Sequence, residues 1–104
     1  MLFSIIIGYI VHLIVRIINY FSNKQKIECF PNGKIKRKEE FYVINKKKQL
    51  HGSVKIYYEN GNTKEHLEYQ NDLLNGVQKY FNDNGKLVKK DAYESGILIA
   101  SFPA

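Results

Sequence analysis

A chain of 104 residues with a formal net charge of +6 has room for one small domain and an appendage. Its single cysteine excludes an internal disulfide framework and a cysteine-based zinc site. Lysine outnumbers arginine fourteen to two, and basicity so poor in arginine is a thin basis for nucleic-acid binding, so nucleic acid is not an expected partner.

The first predicted element is a hydrophobic α-helix over residues 1–22. Leu2 to Phe21 holds fifteen apolar side chains in twenty positions, with no acid and one strong charge, Arg16. As a helix this stretch is roughly 30 Å long, about the thickness of a bilayer's hydrocarbon core. No Lys or Arg precedes it and no small-x-small site follows it, so it reads as a retained anchor, not a cleaved signal peptide. Ser4, Gly8, His12 and Arg16 fall at steps of four, and Asn19 returns to the same side. In a spanning helix this stripe is an association face for homo-oligomers, with close backbone approach at Ser4 and Gly8 and hydrogen bonds from His12 and Asn19. In a helix lying flat on a membrane or a partner it is the polar side. Spanning is the preferred reading, because Arg16 sits near one end and can snorkel to the headgroups.

Residues 23–26 form a polar, basic junction, and the charge excess begins there. Lys24, Lys26, Lys34, Lys36, Arg37, Lys38, Lys46, Lys47 and Lys48 oppose only Glu28, Glu39 and Glu40, a balance of +6. From Gln49 onward six lysines meet seven acids. The positive-inside tendency then gives a single-pass protein of the cell membrane with its C-terminal part in the cytoplasm. Those nine basic residues are the candidate contacts to anionic lipid, each adding about 1 kcal/mol. Ile, Lys and Asn make up 37 of the 104 residues, a bias typical of AT-rich coding that dilutes the meaning of any one lysine.

Residues 27–104 repeat with a period of 24. Gly52 recurs as Gly76 and the cycle returns at Ala100; Lys55 recurs as Lys79, Tyr57 as Phe81, Asn60-Gly61 as Asn84-Gly85, and Tyr69 as Tyr93. A looser copy begins at Phe30-Pro31-Asn32-Gly33, places Phe41 eight residues after its glycine, and carries four extra residues before Gly52. A fixed short period signals stacked supersecondary units, which build surfaces more often than active sites. Each copy reads as a β-hairpin: a β-branched and aromatic strand such as Ser53 to Tyr58, an Asn-Gly turn, then a returning strand such as Thr63 to Tyr69. Two linkers separate the hairpins, Val43 to Gly52 with its Lys46-Lys47-Lys48 run and the compact Gln70 to Gly76. Gly96 to Phe102 adds a final short strand with an exposed edge.

The pattern Lys55-x-Tyr57-Tyr58-Glu59-Asn60-Gly61-Asn62-x-Lys64, then Tyr69 and Leu73-Leu74-Asn75-Gly76, resembles the variant MORN repeat of YwqK-like proteins. Residues 77–98 carry it again. The resemblance implies a mainly β fold: an elongated single-layer antiparallel sheet of about three repeated hairpins, here preceded by the N-terminal helix. It also implies a scaffold, a partner-binding surface or a lipid-contacting module, and an antitoxin label that names no chemistry. The irregular first copy and Ala100 in place of the closing glycine are departures that suit terminal repeats acting as caps.

No catalytic constellation is legible. His12, His51 and His66 belong to no His-Glu-x-x-His pattern, and no phosphate loop exists. His51 and Ser53 are neighbours without a third orienting group or a pocket. No enzyme activity, cofactor or metal is therefore expected. Tyr57, Tyr58, Tyr69 and Tyr93 are the partner-binding candidates among aromatics whose default role is to stack between hairpins. Alternation puts Lys36, Lys38 and Glu40 on one face of the first returning strand, matched by Lys64, His66 and Glu68, then Val88, Lys90 and Ala92. In-register stacking would make Lys38, His66 and Lys90 a basic row, with Phe41, Tyr69 and Tyr93 and mixed charges opposite. The expected function is a membrane-anchored repeat module that binds an unidentified protein, of antitoxin or immunity type. The alternative is a peripheral module that binds anionic lipid through its basic segment and an interfacial helix.

Overall fold

The computed structural model describes residues 6–14 and 24–103. Residues 6–14 form a helix, and residues 24–103 form one antiparallel sheet. Its strands are β1 (Lys24–Cys29), β2 (Ile35–Ile44), β3 (Lys47–Tyr57), β4 (Thr63–Gln70), β5 (Leu73–Leu74), β6 (Gly76–Phe81), β7 (Leu87–Glu94) and β8 (Ile97–Pro103). The order is β1-β2-β3-β4-β6-β7-β8, with β5 beside β4, so β5 and β6 act as one strand broken at Asn75. Every neighbour is the next strand in sequence, as local hairpin closure dictates. The principal extents are 60 × 34 × 17 Å.

Two kinds of turn alternate along this meander. At one end of the strands, Pro31-Asn32-Gly33, Glu59-Asn60-Gly61 and Asp83-Asn84-Gly85 form three-residue loops. Each closes by paired hydrogen bonds, as in Gly61 N to Tyr58 O (3.0 Å) and Tyr58 N to Asn62 O (2.8 Å). The glycines take φ of +86°, +95° and +85°, the left-handed position that ends such a loop. At the other end the two segments read from sequence as linkers are themselves tight hairpins. Asn45-Lys46 (φ 51° and 64°), Asn71-Asp72 (50° and 70°) and Ser95-Gly96 (48° and 84°) are two-residue turns with both central φ positive. The four extra residues of the first copy lengthen its hairpin by two cross-strand pairs, Val43↔Lys48 and Ile44↔Lys47, and leave the repeat unchanged.

The repeats are tied together by recurrent hydrogen bonds. The backbone NH of Asp72 donates to Leu50 O (2.7 Å), and Asn71 N donates to His51 Nδ1 (3.3 Å). One repeat later, Gly96 N donates to Leu74 O (2.8 Å) and Ser95 N to Asn75 Oδ1 (3.0 Å). The second and third tight turns thus each sit in a latch made by the preceding repeat. At the opposite end Asn60 Nδ2 donates to Asp83 O (2.7 Å), and Tyr58 OH donates to Phe81 O (2.7 Å).

A one-layer sheet has little interior, and most of what it has lies on one face; on the reverse, Tyr42 is buried beside the ring of His51. On the first face Val54 and Gln78, one period apart, are both fully buried, beside buried Glu39 and Asp91. Gln78 closes a gap in the ladder where Asn75 interrupts β5 and β6. Its Oε1 accepts from Glu68 N (2.6 Å), and its Nε2 donates to Glu68 O and Gly76 O (both 3.2 Å). Phe41, Tyr69 and Tyr93 stand on this same face, each opposite a leucine: Leu50, Leu74 and Leu98. We call this the core face and its reverse the outer face.

Candidate anion-binding face

Register decides what the outer face presents. Ile27 pairs with Lys38, Lys38 with Lys55, and Lys55 with His66. His66 pairs with Lys79, Lys79 with Lys90, and Lys90 with Phe102. Seven strands therefore contribute one straight row, with five consecutive basic residues between two apolar ends. Neighbouring strands lie about 4.8 Å apart, so the five span about 19 Å. Like charges directly opposite are destabilising in a sheet. Among the described residues none of Lys38, Lys55, Lys79 and Lys90 forms an ion pair. Lys36 and Lys64 flank the row on the same face, over the rings of Phe30 (6.0 Å) and Tyr58 (5.7 Å).

Carboxylates reach this face at only one side of the row. Glu68 accepts from Ser53 Oγ (3.0 Å) and lies 2.8 Å from His66 Nε2. Glu40, its counterpart in the first copy, packs over Gly52, where an added Cβ would meet Glu40 Oε2 at 2.7 Å. The third copy has Ala92 and Ala100 paired at these places, so the glutamate and its glycine are replaced together. Lys38, Glu40, Ser53 and Lys55 line a shallow cleft here. Ser53, His66 and Glu68 share a cluster that looks like a hydrolytic triad by composition only. The serine and the glutamate both approach Nε2 of the imidazole (3.5 and 2.8 Å), whereas proton relay needs one partner on each ring nitrogen.

Charges on the core face are mostly paired, with Glu65, opposite Ile56 and Tyr80, the exception among the described residues. Arg37 Nε donates to Glu39 Oε2 (3.1 Å), Lys48 Nζ donates to Glu39 Oε1, and Lys89 Nζ lies 3.3 Å from Asp91 Oδ2. Burial alone would raise the Glu39 carboxyl, but hydrogen bonds and charge from Lys48 and Arg37 hold it below the usual carboxylate range. The Ser101 hydroxyl, with Lys89, does the same for Asp91 against a smaller opposing effect of burial. Burial pushes the phenols of Tyr69 and Tyr80 up.

The nine basic residues proposed from sequence are thus divided by the pleat. Lys36 and Lys38 lie on the outer face, while Arg37 and Lys48 belong to the Glu39 cluster of the core face. Lys24 and Lys26 lie on the edge strand β1, where Lys26 is 3.4 Å from Glu28; Lys34 and Lys46 are in turns and Lys47 opens β3. The expected row of Lys38, His66 and Lys90 is aligned, and the outgoing strands insert Lys55 and Lys79 between its members. Tyr69 and Tyr93 are half-buried on the core face, opposite Gly52 and Gly76. Tyr57 and Tyr58 are half-buried at the start of the three-residue loop. Of the helix stripe, Gly8 and His12 fall in the exposed helix, while Ser4, Arg16 and Asn19 lie outside the described residues. No helix among the described residues is long and apolar enough to cross a membrane.

The fold and this face define a β-meander built from hairpin repeats, with one charge-neutralised face and one cationic face. Two stretches, residues 50–71 and 74–95, match the MORN repeat variant, and the looser first copy lies outside both matches. No curated protein and no solved structure matches the chain.

Proposed function

We propose that this chain is a non-enzymatic binding module of the cell membrane, its outer face laid against anionic lipid headgroups and its core face left for a protein partner. Repeats of this kind are protein- or lipid-binding modules. The observation that carries the reading is the row Lys38, Lys55, His66, Lys79 and Lys90, whose four lysines form no ion pair among the described residues. A row of like charges weakens the sheet, and an anionic plane is the ligand that converts that repulsion into attraction. The apolar segment of residues 1–22 supplies the address, as a spanning anchor with the repeats in the cytoplasm. Lys24 and Lys26 follow it immediately. The antitoxin or immunity reading rests on the resemblance alone.

Vesicle flotation of the full chain tests this. Recovery on vesicles containing anionic lipid should exceed recovery on zwitterionic vesicles, and the excess should vanish in high salt. Equal recovery on both would sink the lipid reading and leave protein binding. Alkaline extraction separately tests the anchor, since a spanning helix stays with the membrane and an interfacial one is stripped.

A further inference from the structure

We infer that the free edge of β8 is a self-association surface, pairing antiparallel with β8 of a second copy across a two-fold axis. The two outer strands of the sheet differ in kind. β1, KQKIEC, carries Lys24, Lys26 and Glu28, the charges that usually guard an edge. β8, ILIASFP, carries no charge, and Ile97, Leu98, Ile99 and Phe102 are 68%, 50%, 60% and 49% exposed. An uncharged, apolar strand with open backbone groups is a template for another strand.

That strand is not a further repeat of the same kind. Inside the sheet each repeat receives the next one through a latch: a leucine carbonyl plus a side-chain acceptor on the following residue, His51 Nδ1 or Asn75 Oδ1. The third copy has Ile99 at that position, which accepts nothing. The bulge glycines Gly52 and Gly76, with φ of +106° and +104°, are replaced by Ala100. The bulge there is one residue shorter. Pairing in β2 and β3 steps from Phe41↔Leu50 to Glu39↔Val54, a slip of two residues, whereas Tyr93↔Leu98 steps to Ala92↔Ala100, a slip of one. A one-residue difference exchanges the faces of everything that follows. Ser101 comes to the core face, where it donates to Asp91, and Phe102 comes to the outer face beside Lys90.

Strand direction selects a second copy in two-fold arrangement. Neighbours alternate in direction along the seven-strand path, so β1 and β8 run the same way. With outer faces on the same side, joining β8 to β1 of another molecule would make a parallel pair and an open-ended fibre, and in either facing it would set an uncharged strand against a charged one. Joining β8 to β8 is antiparallel, closed, and brings no like charges together. The axis stands perpendicular to the sheet, so both outer faces point the same way and the two basic rows run outward from the seam in opposite directions, offset along the strands. This arrangement does not depend on the lipid reading, but it would present both rows to one membrane.

Light scattering of the full chain in detergent over a range of protein concentrations is the test, with Ile97→Lys/Ile99→Lys and, as control, Ile27→Lys on β1. The expected result is a concentration-dependent dimer that the double variant shifts to monomer, with unchanged β-sheet circular dichroism, and that the control leaves alone. A second measurement places the contact: in a Cys29→Ser background, Ile99→Cys, Ala100→Cys and Ser101→Cys are introduced singly. At least one should give an intermolecular disulfide, since residues at the axis of an antiparallel pair lie about 5 Å apart. A monomer at every concentration overturns the inference. So does a dimer that survives Ile97→Lys/Ile99→Lys, which would assign association to the N-terminal helix, or a mass that grows without limit, which would assign it to the β8 to β1 contact.

Discussion

Replacing Lys55 and Lys79 together by glutamine should raise stability and weaken membrane binding at once. Lys55 stands opposite Lys38, and Lys79 opposite Lys90, so the double variant removes two lysine pairs. Ammonium groups about 7 Å apart repel by about 0.6 kcal/mol in water, and physiological salt roughly halves this. Removing two pairs therefore stabilises the sheet by about 0.6 to 1.2 kcal/mol, a rise in Tm of about 3 to 8 °C for a domain of this size. Binding moves the other way. Two lysines near an anionic leaflet contribute about 2 kcal/mol, so the partition ratio between anionic and zwitterionic vesicles should fall roughly thirtyfold. Taking the ratio cancels the contribution of the apolar segment, which is common to both vesicle types. Thermal melts of the full chain in detergent and vesicle flotation read the two quantities. If the double variant melts lower and keeps its ratio, the lysines are there for packing along their aliphatic stems, and the argument from the row is refuted.

The Glu39 carboxyl is held below its ordinary range, so its stabilising contribution is complete above the unfolded value and is lost as pH falls through the folded one. Acid titration of Tm should show that loss, and Glu39→Gln, which leaves Arg37 and Lys48 without their shared partner, should melt lower at neutral pH and flatten the acid limb. Gln78→Leu removes three hydrogen bonds at a fully buried position and leaves the Glu68 amide without its acceptor, while Glu68 O keeps Asn75 N, so a loss of about 1 to 3 kcal/mol is expected by urea titration. Gly52→Ala and Gly76→Ala both force alanine to a positive φ, but only at Gly52 does the new Cβ meet a carboxylate oxygen at 2.7 Å. Gly52→Ala should therefore be the more destabilising by about 1 kcal/mol, and Glu40→Ala should recover most of that difference in a double-mutant cycle, the residual contact being Glu40 Cβ at 3.2 Å.

Period, turns and layer were legible because each has a chemical marker. Asn-Gly at 32–33, 60–61 and 84–85 fixes the three-residue loops, and a 24-residue spacing fixes the unit. The opposite turns were harder to read, since Asn45-Lys46 and Asn71-Asp72 reach positive φ without glycine, and asparagine is ambiguous between a turn and a loop. The basic row was half visible. Alternation within β2, β4 and β7 yields Lys38, His66 and Lys90, but Lys55 and Lys79 join only when the outgoing strands are placed in register. The turn alone does not give that register: a loop centred on Asn60 would set residue 55 opposite 65, and the bulge between Ile56 and Tyr57 moves its partner to His66. The one-residue slip at Ala100 was not legible either, because how a bulge shortens without its glycine depends on packing against Tyr93 and Ala92. Glu39 and Asp91 also hid their burial, since charged residues on a single-layer sheet are ordinarily solvated.

The latch between repeats bears on how such a chain can change in length. Deleting residues 53–76 would join Gly52 to Val77, which is the same junction as Gly76 to Val77, and every surviving turn would find its usual seat. The sheet would lose two strands, about 10 Å of width, and the row would lose Lys55 and His66 while keeping its straightness. A cut of half that size would remove one strand, reverse the direction of all that follows, and strand the next turn at the wrong end of the sheet. Gain and loss in whole periods is therefore the inexpensive path for this architecture, and the number of repeats becomes a dial for the length of its cationic face.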